Sequence, residues 1–496
     1  MSREAQPPRG LHQRLGLVFA PLAFTSLWLA PFAGLKPEAH RLAAITAAVM
    51  ILWITEALPM PLVALMGAAA CVILQVAPAQ QTFATFADPI VFLFIGAFIL
   101  ARALFLHKLD QRLAFGALSI RWVGDRPDRV LIAYGAVTAL ISAWVSNTAT
   151  TIMMYAVGMS ALAFLSDPKL MGGRAVHPRY GAGLMLMNTF AASIGGLATP
   201  VGSAPNLIGV GLIRQQLGVE VTFANWCAVG VPLALGLFIY LACYLAWFCR
   251  SGVGESAALG ALLAERRDQL GPWTRGQRSV CIACGFTVLL WLAPGALAVA
   301  FGDSSAIYKG FQRSIPEPVA ALLGAFLLFL LPGDAASEKA IHWSEAVNID
   351  WGVILLFGGG LTLGSLAFQT GLAEALGRSL ARGLPAGDQG FGLLCASVLA
   401  AVIVSELTSN TASANMVIPV VIAIAQAAGV NPLQPALGAT LGAGLGLMFP
   451  VSTPGNAIVF GSGRIPLRSM MIYGLMLDVV GAVAIIVLVR WVVTAG

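Results

Sequence analysis

The chain has 496 residues, 58% of them hydrophobic and only 10% charged, against about 25% charged in a soluble domain. That excludes an ordinary soluble enzyme and indicates an all-α polytopic membrane protein, for which length does not give a domain count. The net charge of +6 calls for no nucleic-acid partner, because Lys and Arg gather in the cytoplasmic loops of membrane proteins.

A spanning helix needs about 20 apolar residues, and about eleven stretches read as spans, with two more reading as re-entrant hairpins. Residues 1–12 are polar and no small-residue cleavage site follows the first apolar run, so no cleavable leader is expected. Residues 1–40 form an N-terminal arm and first span (15–35). A first repeat, 41–249, opens with spans near 42–58, 62–76 and 89–106, the first of them ending in WITEALP (53–59). A basic stretch follows, with Lys108, Arg112, Arg121, Arg126 and Arg129. Next come the first hairpin, 130–165, and a second basic loop with Lys169, Arg174 and Arg179. A broken span, 180–213, is interrupted at TPVGSAPN (199–206), where two prolines and a glycine stop the helix. A sixth span lies near 231–248. The polar linker 250–278, with Arg266, Arg267, Arg275 and Arg278, divides the halves.

The second repeat, 279–496, follows the same order. Its spans lie near 279–301, 319–331 and 351–369. The second hairpin is 391–425, and the second broken span, 433–463, is interrupted at FPVSTPGN (449–456). A last span covers 470–494. The repeat shows in spacing: Asp88 precedes Asn147 by 59 positions and Asp350 precedes Asn410 by 60. Basic loops at 107–129, 166–179 and 250–278, with Arg3, Arg9 and Arg14, place the N-terminus in the cytoplasm and the C-terminus outside. The two halves then have opposite orientations, an inverted repeat of the kind used by secondary transporters.

Each hairpin carries Ser-Asn-Thr: Ser146-Asn147-Thr148 in SAWVSNTATT, and Ser409-Asn410-Thr411 in SELTSNTAS. Each has a serine four residues before the triplet, Ser142 and Ser405. Hydroxyls and amides at membrane depth are costly unless they are paired or line a cavity. Ser, Asn and Thr cap helix N-termini, whose free N–H groups and positive dipole end favour anions. The helix arriving at each tip presents free C=O groups, which favour a cation. An asparagine can offer oxygen to a cation and NH₂ to an anion. The pattern predicts two sites for a hard cation such as Na⁺ with an anion between them, held without Arg or Lys.

Other signals are weaker. Cys281 and Cys284 form a CxxC at the head of an apolar span, with no second pair and no nearby histidine, so it reads as structural. The five histidines do not cluster, which gives zinc little support. Gly358, Gly359, Gly360 and Gly364 suit close helix packing rather than phosphate binding. Glu56 reads as a cap or interfacial residue at a span end, Asp88 and Asp350 as helix starts. Glu406 is a candidate for tuning the cation site, and Asp478 receives no role.

At these residues the sequence resembles the divalent anion/sodium symporters, which include sodium-coupled dicarboxylate and citrate carriers. The resemblance rests on both SNT triplets, WITEALP, and the run TPGNAIVFGSG (453–463). It implies an elevator-type homodimer with a scaffold and a mobile transport domain. It implies substrate contacts from Asn147, Thr148, Asn410, Thr411, Ser203, Thr453 and Pro454. It also implies one sodium site from Ser142, Ser146, Asn147 and Gly202, and another from Ser405, Thr408, Asn410 and Ser452. The chain departs from the usual pattern at Ala204, Gly455, Ser405 and Thr408, changes that bear on substrate size and ion stoichiometry. The expected function is Na⁺-coupled import of a small di- or tricarboxylate, first of all a C4-dicarboxylate such as succinate or malate. Na⁺ is the coupling ion, no organic cofactor is expected, and the setting is a bacterial inner membrane. The alternatives are a sodium-independent exchanger, a sulfate or oxyanion carrier, an intramembrane enzyme and a channel. An enzyme would need a nucleophile with its base, or metal ligands, at depth; no histidine falls in a span and no HExxH or GxSxG occurs.

Overall fold

The computed structural model describes residues 10–30, 34–167, 176–254, 257–302, 304–334, 339–381 and 389–495. The basic residues Arg3, Arg9, Lys169 and Arg174 of the sequence reading lie outside them. Within the described residues the regular elements are helices, and one isolated bridge joins Pro332 to Lys339. Nine of these helices are long and apolar enough to cross a membrane. A tenth span results if Ala306–Ser314 and Glu317–Leu330, bent by 57° to one another, count together. The protein is an integral membrane protein of all-α architecture.

Several elements differ from their predicted extents. The helix Met60–Ile73 has 14 residues, about 21 Å at 1.5 Å per residue, too short to span alone. The apolar stretch Ala79–Leu106 has 28 residues, beginning well before the predicted residue 89. Inside it Asp88 starts the final helix, Pro89–Leu106, by accepting the Ile90 amide at 2.9 Å. The predicted span 319–331 is preceded by the short helix Ala306–Ser314, whose separation from Glu317–Leu330 falls at Pro316, which supplies no N–H. WITEALP forms the turn between Pro37–Ile54 and Met60–Ile73. There Glu56 is exposed with a left-handed φ of 46°, and buried Trp53 donates its indole N–H to the Met60 carbonyl at 3.3 Å.

Both predicted hairpins form as antiparallel helix pairs. In the first, Pro127–Ser142 leads to Asn147–Leu165, and the Tyr134 hydroxyl donates across to the Met154 carbonyl at 2.6 Å. In the second, Gln389–Leu407 leads to Asn410–Ala427, and the Ser413 hydroxyl donates to the Ala401 carbonyl at 2.8 Å. Both broken spans break. Pro178–Gly196 stops before Ala204–Leu217, and Leu433–Ala443 before Pro454–Phe460.

The halves pack crosswise. Ala204–Leu217 lies on the second half's trailing hairpin arm and on Leu433–Ala443. A Cβ on Gly209 would fall 2.1 Å from Thr440 Oγ1, so only glycine permits this approach. Reciprocally, Pro454–Phe460 packs on the first half's trailing arm and on Pro178–Gly196. The largest fully buried side chains include Trp53, Phe94, Tyr134, Tyr180, Phe190 and Phe357. Tyr180 satisfies its hydroxyl on the Pro127 carbonyl at 2.6 Å. The exterior carries large apolar side chains: Leu235, Ile239, Leu289, Val483 and Val487 are all exposed, as suits a surface facing acyl chains.

Candidate functional site

The first hairpin's leading arm ends at Ser142, and Ser146 caps the trailing arm by accepting the Ala149 amide at 3.3 Å. The second tip repeats this, with Ser409 accepting the Ala412 amide at 3.2 Å. Each tip therefore offers a capped helix N-terminus beside the end of an arriving helix. Ser142 and Asn147 lie in contact, hydroxyl to amide, at 2.8 Å, and Ser405 donates to Asn410 Oδ1 at 2.9 Å. The same contact between an asparagine and the serine five residues before it is thus made at both tips.

Both asparagines pack onto the broken spans. With its amide oriented to satisfy its neighbours, Asn147 donates to the carbonyls of Ala192 (3.1 Å) and Gly202 (3.3 Å). Asn410 donates to the Gly444 carbonyl at 3.3 Å. A glycine makes room in each half. A Cβ on Gly196 would lie 2.3 Å from the Asn147 side-chain amide, and one on Gly446 2.8 Å from Ser405 Oγ. Gly446 also has a φ of 129°, where an L side chain is strained.

The breaks are bridged by residues to which the sequence reading gave no role. Asn206, fully buried, donates its side-chain amide across the first break to the carbonyls of Gly196 and Thr199, both at 2.8 Å. Asn456, also fully buried, donates to the carbonyls of Gly446 (3.4 Å) and Phe449 (3.0 Å). In each half the acceptors lie ten and seven residues before the asparagine. The available signal was the shared final Asn of GSAPN and STPGN. Asn456 also accepts from Thr189 of the other half at 2.7 Å, joining the two clusters.

The two tips are tied to their breaks differently. In the first half, Thr199 Oγ1 donates to the Ala143 carbonyl and accepts the Gly202 amide at 3.1 Å. In the second, the tie is Glu406, which is buried and accepts from the Met448 amide at 2.8 Å and the Phe449 amide at 3.2 Å. Ser452 donates to the same carboxylate at 2.7 Å.

The remaining sequence-predicted residues fall as follows. Gly202 is buried, with its carbonyl on Asn147. Ser203 is buried at the start of Ala204–Leu217 but makes no side-chain cap. Thr453 caps Pro454–Phe460 by accepting the Asn456 amide at 3.1 Å. Pro454 and Ser146 are exposed, and Thr148 and Thr411 half-exposed, two residues past their caps. Thr408 is buried and turns its hydroxyl back to the Val404 carbonyl at 2.8 Å. Ser452 is held by Glu406 rather than by the Ser405–Asn410 pair. The two clusters are built from hydroxyls, carboxamides and backbone groups, with one carboxylate in the second. Such a set suits a hard cation and hydrogen-bonded anion oxygens. All seven cysteines are free, Cys281 and Cys284 included.

A profile described as the sodium:sulfate symporter transmembrane region matches residues 12–494. The chain is 30% identical over 491 residues to the sodium-dependent dicarboxylate transporter SdcS of Staphylococcus aureus, strain USA300, covering 98% of this chain and 92% of that one. The same transporter from strain MRSA252 is 29% identical over the same length. Among solved structures, the Alcanivorax borkumensis YdaH transporter matches with a TM-score of 0.57 at 15% identity, covering 98% of this chain and 99% of that one. That likeness supports the fold. The duplicated hairpin-and-break architecture and the full-length profile match together place this chain in the sodium:sulfate symporter family of membrane transporters, a family of carriers and not of enzymes.

Proposed function

We propose that the protein is a Na⁺-coupled carrier of small dicarboxylates, C4 acids such as succinate and malate foremost. The observation that carries this reading is the doubled tip: a Ser-capped helix N-terminus with its asparagine seated on the carbonyl-rich break beside it, made once in each half. The similarity to sodium-dependent dicarboxylate transporters supports the substrate class. In this reading Ser142, Ser146, Asn147 and Gly202 hold one Na⁺, and Ser405, Thr408, Asn410 and Ser452 the other. Asn147, Thr148, Asn410 and Thr411, with Ser203, Thr453 and Pro454, face the carboxylates. Helix dipoles, hydroxyls and amides bind the anion weakly on their own, and the ions supply the missing positive charge. Transport is therefore coupled, because removing the cation removes much of the anion's electrostatic partner.

The repeats, 41–249 and 279–496, work as an inverted pair. A body containing hairpins and broken spans moves as an elevator against a scaffold, in a homodimer in the bacterial inner membrane. The N-terminus is cytoplasmic and the C-terminus outside. The test is uptake of labelled succinate into proteoliposomes with and without an inward Na⁺ gradient. Uptake confined to the gradient supports the symporter. Uptake driven by internal dicarboxylate alone makes it an exchanger. Sulfate uptake in place of succinate favours the oxyanion carrier that the family's description names.

A further inference from the structure

The two breaks differ in how their backbone is held. At the second, four consecutive amides are taken by two buried carboxylates. Asp478, from the C-terminal helix Leu467–Ala495, accepts from Gly446 (3.3 Å) and Leu447 (3.4 Å). Glu406, from the second hairpin, accepts from Met448 (2.8 Å) and Phe449 (3.2 Å). Among the described residues the first break has no such carboxylate. There the amides of Leu197 and Ala198 go to the carbonyls of Ile194 and Gly195, and a threonine hydroxyl makes the tie.

The consequence is directional. A run of free N–H groups in an unwound segment is an anion-binding concavity. Here the protein's own carboxylates fill it, from the side of an apolar groove of about 310 Å³ lined by Ile403, Leu407, Leu475 and Val479. With the N–H groups turned to that side, the break is closed to a substrate anion. Glu406 also accepts the Ser452 hydroxyl hydrogen bond at 2.7 Å, which leaves that oxygen's lone pairs free to accept. The carbonyls of Ala443 and Gly444, on which Ser405 and Asn410 sit, lie just before the four held residues, so fixing 446–449 also fixes the carbonyl side of the break, where a cation can be held.

We infer that Glu406 and Asp478 are positioning residues for the second cation site: they hold residues 446–449 unwound and orient Ser452. The inference rests on the sodium-coupled reading above and adds to it an inequality between the halves that neither the duplicated motifs nor the family assigns.

The test is a Na⁺ titration of succinate uptake by wild type, Glu406→Gln and Asp478→Asn in proteoliposomes. It is paired with the Na⁺-induced rise in melting temperature of the purified proteins without substrate. Each variant is expected to raise the half-saturating Na⁺ concentration about tenfold and to shrink the Na⁺-induced thermal shift. The succinate KM at saturating Na⁺ should stay within about twofold, since neither side chain is proposed to touch the anion. Variants that melt lower without Na⁺ yet keep the wild-type half-saturation and thermal shift would overturn the inference, reducing both residues to struts. If Glu406→Gln does not fold, Asp478→Asn decides, because it releases only the Gly446 and Leu447 amides. Sodium-independent uptake by the wild type would instead remove the reading on which the inference stands.

Discussion

Asn206 and Asn456 each hold a break together with two donated hydrogen bonds to carbonyls that no longer have helical partners. Removing a buried amide leaves those carbonyls unsatisfied. Asn206→Ala and Asn456→Ala should each destabilise the protein by roughly 2–3 kcal/mol, from two bonds of about 1 kcal/mol and the exposed acceptors; thermal melts in detergent check this. Asn147→Ala and Asn410→Ala act differently. They are expected to abolish succinate uptake while leaving a folded, membrane-inserted protein, and normal uptake by both would refute the site assignment. Thr148→Ala and Thr411→Ala should chiefly raise the substrate KM. Asp110 provides a pH test outside the spans. It is buried on the short helix Leu109–Leu118 with Oδ1 unpaired, and burial pushes its pKa from 3.8 up to about 6. A carboxyl that holds its proton more tightly when folded favours the native state at low pH. Stability is therefore lost as pH rises from about 4 to 6 and is level above. Asp110→Asn should melt above wild type at pH 7.5, by at most about 3 kcal/mol, and the gap should close below pH 4.

At the scale of elements, the contacts of the candidate site are close approaches of helices that glycine permits. Gly196→Ala would drive a methyl group into the Asn147 side-chain amide. Uptake should fall at least tenfold, a change of about 1.4 kcal/mol, with the helical content by circular dichroism unchanged. Much of this layer was legible in the sequence. The breaks were announced by Pro200, Pro205, Pro450 and Pro454, and the tips by Ser-Asn-Thr triplets in apolar runs. The bend at Pro316 and the helix Ala306–Ser314 were not read, because a polar nine-residue helix beside a span carries no apolar run to mark it. The glycine–asparagine contacts and the role of Asp478 were equally hidden. They join residues 31 to 49 positions apart, and nothing in local periodicity encodes which helix faces which. Glu406 was visible as an acid within a hairpin arm; its four contacts were not.

For the whole molecule, Asp88 and Arg214 tie the start of Pro89–Leu106 to the end of Ala204–Leu217 through two contacts of 2.6 Å each, half-buried. Orientation is open to direct test: a cysteine replacing Arg266 should be labelled only from the cytoplasmic side, and labelling from outside alone would reverse the topology. The duplicated halves give the Asp88–Arg214 tie a further meaning. Arg214 follows Asn206 by eight residues, and Arg464 follows Asn456 by eight. Asp350 stands where Asp88 does, before its own helix. Yet Asp350 and Arg464 are both exposed, and among the described residues no ion pair joins them. A carrier whose halves were exact mirror copies would have two end states of equal energy and would rest in each half of the time. In the proposed inverted-repeat carrier, making one of two corresponding ion pairs favours the arrangement seen here. On that proposal the resting population is set in part by four charged residues outside the candidate site, and Asp88→Asn should shift it without changing a proposed ligand.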